Sequence, residues 1–262
     1  MKNIKTFSIL GLVSLAAVLL FNGCKKNSTT YIDYDYVDAS MARIKINYNV
    51  AFNANPAAQI KINGVRVSGT NIKTRYPFPG GGFNTLGGST GDYLPISAGN
   101  AEVSISIPKK GTNVDSVAIF KTTVNAAASK YYTLHVADSL NRKGLLVEED
   151  LTRPDSGIVR YRFVNLMANV PAVDLYIGSV LVKSNVAFMS ISEPFTLPTS
   201  QATISTTWAI RPAGAAPTST ALATYNSAST VLNQRVYTVF ANGYSGFTDA
   251  NRKPYVSFYY VL

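Results

Sequence analysis

The feature that most limits the fold of this chain is a duplicated order of short segments in which polar and apolar residues alternate. A period of two is typical of a β-strand with one buried face, and it is clearest at Arg43–Tyr48, Gln59–Asn63 and Glu102–Ile107. Clusters of Gly, Pro, Asn and Ser separate these segments. No long segment after residue 23 shows the 3.6-residue apolar period of a helix, so the pattern predicts an all-β protein.

Two copies of this order follow each other along the chain. Residues 55–67 align with residues 169–182 when Pro56 is matched to Pro171, and Lys130–Val136 aligns with Arg235–Ala241. Each copy then closes with a basic pair and a strand-like segment. Because the order and the type of element repeat together, we predict two tandem immunoglobulin-like β-sandwich domains, each of roughly 100 residues. The expected domains are residues 40–152 and 153–262.

Three segments of the second copy resemble a known family. Arg160–Asn165, Pro171–Gly178 and Val186–Phe188 are similar to a domain of unknown function found in exported bacterial lipoproteins, often in tandem. The resemblance covers most of the chain after residue 23. The first copy departs from it, with Ala58-Gln59 in place of a Val-Asp pair and an insertion at residues 75–95. The resemblance implies a fold and a location outside the cytoplasm, and it implies no chemistry.

The first residues have the layout of a lipoprotein signal peptide. Lys2 and Lys5 precede an apolar run from Phe7 to Phe21, which is short for a membrane-spanning helix of about 20 residues. Cys24, the single cysteine, follows this run, and residues 20–24 resemble the bacterial lipobox. We therefore expect a signal peptide over residues 1–23, lipid attachment at Cys24 and a lipidated tether over residues 24–39.

The residues after the cysteine and the net charge bear on location and partners. Lys25 stands where an Asp would resemble an inner-membrane retention signal, so the outer membrane is favoured, with the periplasmic and surface faces both open. The net charge is +10, but the basic residues are scattered pairs without a basic stripe. We expect the membrane as a partner through the lipid, a glycan or another envelope protein as further candidates, and no nucleic acid.

Catalytic and metal-binding chemistry has little support in the sequence. His135 is the only histidine, so a Ser-His-Asp triad would have to use it, and a conventional zinc site lacks ligands. Strand alternation places His135 on the face opposite Leu134, where we expect it to face solvent. The acidic run 148–150 is interpreted as a charged last strand near the domain junction. We expect no enzyme activity, no catalytic residues, no metal and no cofactor.

The insertion and the single tryptophan are the candidate ligand-binding features. The glycine-rich segment Pro77–Gly91 lacks the Lys of a phosphate-binding loop, so it is either a binding loop or a flexible cap on the sandwich. The candidate contact residues are Tyr76, Phe78, Phe83, Tyr93 and Trp208. Packing in the core or at an edge is the alternative role for Trp208.

These observations predict a lipid-anchored cell-envelope protein with an adhesive, ligand-binding or structural role. One alternative is a carbohydrate-binding component of a polysaccharide-uptake system, suggested by the aromatic content. Another is a pilus-type subunit that donates the apolar segment Tyr255–Leu262 by strand exchange. A hydrolase that depends on His135 is the weakest alternative.

Overall fold

Regular structure in the described part of the chain is almost entirely β-strand. The computed structural model describes residues 38–200 and 205–262, and its only helical element there is the short 3-10 helix Ala228–Thr230. Residues 38–262 form one compact unit. The predicted signal peptide, the lipid attachment at Cys24 and nearly all of the tether lie outside the described residues.

The two copies contain matching series of strands. The strands of the first repeat are β1 (Met41–Asn49), β2 (Gln59–Ile62), β3 (Val65–Arg66), β4 (Tyr76–Phe78), β5 (Leu94–Ser97), β6 (Gly99–Pro108), β7 (Asp115–Ala126), β8 (Tyr131–Ala137) and β9 (Lys143–Glu149). Those of the second are β10 (Ile158–Asn165), β11 (Ala172–Ile177), β12 (Val180–Ala187), β13 (Ser190–Ile191), β14 (Phe195–Pro198), β15 (Thr207–Pro212), β16 (Ala223–Asn226), β17 (Val236–Asn242) and β18 (Tyr255–Tyr260). Each strand of the first repeat has a counterpart in the second.

Each repeat consists of a five-stranded and a four-stranded sheet. In the first repeat the five-stranded sheet runs β4-β1-β8-β9 with β5 also paired to β1, and the other sheet runs β3-β2-β6-β7. The second repeat has the same plan, β13-β10-β17-β18 with β14 on β10, and β12-β11-β15-β16. The opening strand is central and parallel to the penultimate one, with Ile46 opposite Leu134 and Phe163 opposite Val239. The all-β, sandwich-like tandem prediction is confirmed, and the immunoglobulin-like type stays a prediction.

The hydrophobic core of each repeat lies between its two sheets. Alternate residues of β1, including Ile44 and Ile46, pack against Ile60 and Val103 of the four-stranded sheet. The second core is more aromatic. Its central side chains are Tyr161, Phe163, Trp208, Tyr237 and Phe258, all of them fully buried. Each five-stranded sheet therefore uses one face for the core of its own repeat.

The second face of each five-stranded sheet, which points away from the core of its own repeat, is also buried. The two sheets pack against each other through these faces. Ala137 of the first repeat joins Val164, Phe240 and Tyr259 of the second in one apolar cluster. Polar residues of the same faces, such as Lys45 and Asn47, have no exposed surface. The sequence pattern predicted half-buried strands with a polar face in solvent, and that expectation is wrong for these sheets. The repeats stack as four β-layers.

The insertion of the first repeat also joins the two repeats. Residues 79–93 connect β4 to β5, whereas residues 192–194 make the equivalent connection in the second repeat. Within this insertion, the segment 81–84, here called the strap, lies along β18. Phe83 and Phe258 exchange backbone hydrogen bonds of 3.0 and 2.9 Å, and the Tyr260 amide donates to the Gly81 carbonyl over 3.1 Å. The strap thus covers the edge of the last strand.

The strap fits closely against β18 because Gly82 has no side chain. A Cβ atom on Gly82 would collide with the carbonyl oxygen of Phe258 and lie 2.7 Å from the Cα atom of Tyr259. The same atom on Gly88, in the same insertion, would meet nothing within 4 Å. Replacement by alanine should therefore destabilise the protein at Gly82 and leave its stability almost unchanged at Gly88.

We predict that Gly82→Ala lowers the free energy of unfolding by about 1–3 kcal/mol, because the strap must move away from β18. Gly88→Ala is the matched control and should change the stability by less than about 0.5 kcal/mol. Urea unfolding followed by tyrosine and tryptophan fluorescence measures both. Equal stability of the two variants would show that the strap is not held against β18.

Candidate functional site

A chain of hydrogen bonds crosses the interface between the repeats. The amide of Asn242 donates to Asn49 Oδ1 over 2.6 Å, and Asn49 Nδ2 donates to Asn47 Oδ1 over 2.8 Å. Asn47 Nδ2 lies 3.1 Å from His135 Nδ1. His135 Nε2 lies 3.3 Å from the Tyr259 hydroxyl, which donates to Glu149 Oε1 over 2.8 Å. The chain begins in the second repeat, enters the first, and passes through Tyr259 before it ends at Glu149.

His135 is the centre of this chain, and its environment keeps it neutral. Because Asn47 Oδ1 is already an acceptor, its amide nitrogen donates to His135 Nδ1, which leaves the ring proton on Nε2 facing Tyr259. Burial lowers the pKa of His135 to about 3. The prediction that His135 faces solvent is wrong, because the second repeat covers its face of the sheet. Strand alternation did identify the correct face.

Lys45 is a second buried ionisable group at this interface. Its amine donates to the Tyr260 carbonyl over 3.0 Å and lies 4.6 Å from the centre of the Tyr93 ring and 5.3 Å from that of Tyr259. Burial lowers the pKa of Lys45 to about 7, although Glu149 raises it in part. The two rings and the carbonyl replace the water that an ammonium group would otherwise bind.

Glu149 has the opposite shift. Burial raises the pKa of its carboxyl, while the hydrogen bond from Tyr259 and the nearby Lys45 partly oppose this. Its neighbours Glu148 and Asp150 are exposed. The acidic run does form a charged last strand at the junction, but the middle carboxyl is in the interface.

An open groove runs along the junction of the repeats, beside the buried chain. One depression, of about 490 Å³, is lined by three half-buried tyrosines together with Asp92, Leu232 and Arg235. We call this depression the tyrosine end; its tyrosines are Tyr93, Tyr131 and Tyr260. Tyr93 and Tyr131 meet edge to face at 5.2 Å, and Tyr260 is backed by Phe83 of the strap at 5.3 Å.

A second depression, the charged end, adjoins the first. It measures about 590 Å³, and Tyr131 and Leu151 line both depressions. Lys130 pairs with Glu148 at 2.6 Å, and the guanidinium of Arg162 donates to the Glu148 carbonyl over 2.8 Å. We refer to the two depressions together as the junction groove. Both repeats contribute to each end.

The structure separates the residues that the sequence grouped as ligand contacts. Tyr93 lines the tyrosine end of the groove, but Tyr76 and Phe78 pack against the core of the first repeat. Phe83 packs against the core of the second repeat, where it meets Tyr237 and Tyr260. Trp208 is completely buried there and donates to Thr230 Oγ1 over 2.8 Å, which is the packing role that the sequence left open.

Sequence reasoning missed the other residues of the tyrosine end. Tyr131 begins β8, Tyr260 ends β18, and Arg235 directly precedes β17. These positions come together only when the two five-stranded sheets pack face to face. No sequence motif predicts that packing.

Within residues 38–200 and 205–262, no group of three or more His, Cys, Asp and Glu side chains lies together as a metal site would require. In the same part of the chain, no helix has the length and apolar character needed to span a bilayer.

The buried state of His135 predicts a pH dependence of stability. The pKa is about 3 in the folded protein, below the usual value of about 6.5, so the unfolded chain takes up a proton that the folded chain does not. Stability from this group is therefore complete above about pH 6.5 and is lost as the pH falls toward 3. Relative to His135→Gln, the native protein should lose about 2 kcal/mol between pH 7.5 and pH 5.

Urea unfolding of both proteins at the two pH values measures this difference. The raised pKa of Glu149 acts in the opposite direction, but it is common to both proteins and largely cancels in the comparison. If the two proteins respond identically to pH, His135 is not held neutral at the interface.

Comparison with known protein families identifies the family of this chain. The sequence profile of DUF4397, a domain of unknown function, matches residues 56–176 and again residues 162–256. A comparison with curated proteins found no match. The two family matches together run from the residues before β2 into β18, well over half of the chain. The chain belongs to the DUF4397 family and carries its domain twice in tandem.

Proposed function

We propose that this protein is a lipid-anchored component of the bacterial cell envelope that binds a ligand and catalyses no reaction. The lipidated cysteine would hold it at the outer membrane through acyl chains, each of which gains about 0.8 kcal/mol per buried CH₂ group. The N-terminal pattern supports the anchor. The two repeats, which we propose to be immunoglobulin-like, would form the part that meets the ligand.

The observation that carries the binding role is the junction groove. Its walls come from both repeats, and the buried hydrogen-bond chain fixes those walls relative to each other. A groove preformed in this way loses little conformational entropy when a ligand binds. Half-buried tyrosines with a few polar groups are typical of binding sites.

The chemistry of the buried groups opposes a hydrolase. His135 is the only histidine of the chain, and it has no exposed surface. With a pKa of about 3 it cannot accept a proton efficiently near neutral pH. Its two ring nitrogens are engaged by Asn47 and Tyr259, so neither faces a substrate.

Strand exchange is also disfavoured as a mode of assembly. β18 pairs with β17 along its length, from Tyr237 opposite Tyr260 to Asn242 opposite Tyr255. On its other side it bonds to the strap. Donating this strand would break both sets of hydrogen bonds and expose the aromatic core of the second repeat.

The anchor is tested by Cys24→Ser in a bacterium with two membranes. We expect the native protein to sediment with the membranes and to incorporate a fatty-acid analogue, whereas the variant should incorporate none and leave the membrane fraction. Ser156→Ala, at an exposed serine, serves as the control for expression. A native protein that is soluble and unlabelled would contradict the proposal.

A further inference from the structure

We propose that the junction groove binds a neutral oligosaccharide chain, with Tyr93 and Tyr260 as stacking residues and Arg235 and Asp92 as hydrogen-bonding residues. This inference rests on the proposed binding function and names its ligand class. It is carried by the aromatic surface, the balance of charge and the length of the groove.

The aromatic surface suits the apolar faces of sugar rings. Tyr93, Tyr131 and Tyr260 are each half-buried, so their rings are held by the protein and still reach the groove. Tyr131 is fixed from its other sides by the Arg43 guanidinium at 5.1 Å and by the edge contact with Tyr93. A rigid tyrosine offers an apolar face at a small entropic cost. The Tyr93 hydroxyl is buried, so Tyr93 contributes its ring to the groove and no hydrogen-bonding group.

Charge in the groove points to a ligand without net charge. Acidic and basic side chains along the groove are nearly balanced: Asp92, Glu148, Glu149 and Asp150 against Lys130, Arg162 and Arg235, and burial raises the pKa of the Glu149 carboxyl. A phosphate or uronic acid would meet repulsion from the carboxylates as well as attraction. Sugar hydroxyls both donate and accept hydrogen bonds, so they can use the carboxylates and the cations alike.

Arg235 is the charged group most available to a ligand. It is exposed at the tyrosine end, and within residues 38–200 and 205–262 its guanidinium forms no ion pair or side-chain hydrogen bond. In contrast, Lys130 at the charged end is already paired with Glu148. The tyrosine end therefore combines the stacking surface with an unengaged donor.

The groove is longer than one sugar ring requires. The two depressions of about 490 and 590 Å³ meet at Tyr131 and Leu151, so a ligand can pass from one to the other. An oligosaccharide of several units would lie across both repeats. A folded protein partner would need a larger surface than these depressions provide.

Binding of the full-length lipidated protein, solubilised in detergent, to a panel of neutral and acidic polysaccharides tests the proposal. We expect binding to at least one neutral polysaccharide that changes little between low and high salt. Tyr93→Ala and Arg235→Ala should each weaken it at least about tenfold. Arg235→Ala removes no ion pair or side-chain hydrogen bond among the described residues, so it keeps the test valid if Tyr93→Ala unfolds.

Phe247→Ala is the matched control, because Phe247 is an aromatic residue with 38% of its surface exposed outside the groove. It should leave binding unchanged. Binding that survives both groove variants, binding to acidic polysaccharides alone, or no binding to any polysaccharide would each overturn the proposal. The membrane test with Cys24→Ser is independent, so a failure of the sugar proposal is distinguishable from a failure of the anchor.

Discussion

The structure depends on the packing of two five-stranded sheets whose facing surfaces bury polar residues beside an apolar cluster. Burying Lys45, Asn47, His135 and Glu149 would cost stability if these groups lost water without gaining partners, at about 1–3 kcal/mol for each unsatisfied group. The hydrogen-bond chain from Asn242 to Glu149 and the Tyr260 carbonyl, which accepts from Lys45, supply partners that only one relative placement of the repeats provides. Two repeats that each have a core of their own thereby become a single unit.

The strap and the groove both follow from that placement. The strap can reach β18 only because the two repeats lie face to face, and it then covers an edge that would otherwise be open. Phe83 of the strap supports Tyr260 from within, while Tyr93, at the end of the same insertion, covers the amine of Lys45. The insertion that distinguishes the first repeat therefore joins the repeats and forms one wall of the groove.

The sequence predicted the parts of this fold that depend on local pattern. Alternation in β1 and β8 identified which residues enter each core, and the match of Pro56 to Pro171 identified the tandem repeat. The exposure of His135 was predicted wrongly, since alternation gives the face of a strand but not what covers that face. For the same reason Tyr131, Tyr260 and Arg235 were missed. Tyr93 was found only because it belongs to a conspicuous insertion.

The central claim, that the polar interface makes the two repeats one cooperative unit, is tested most directly by native-state hydrogen exchange in β6 and β15, one strand from each repeat. We predict that the slowest amides of both strands exchange with the same free energy of opening. Tyr259→Phe, which leaves His135 Nε2 and Glu149 without their shared partner, should lower both by the same amount. Different free energies in the two strands, with the variant affecting only the second repeat, would contradict the claim.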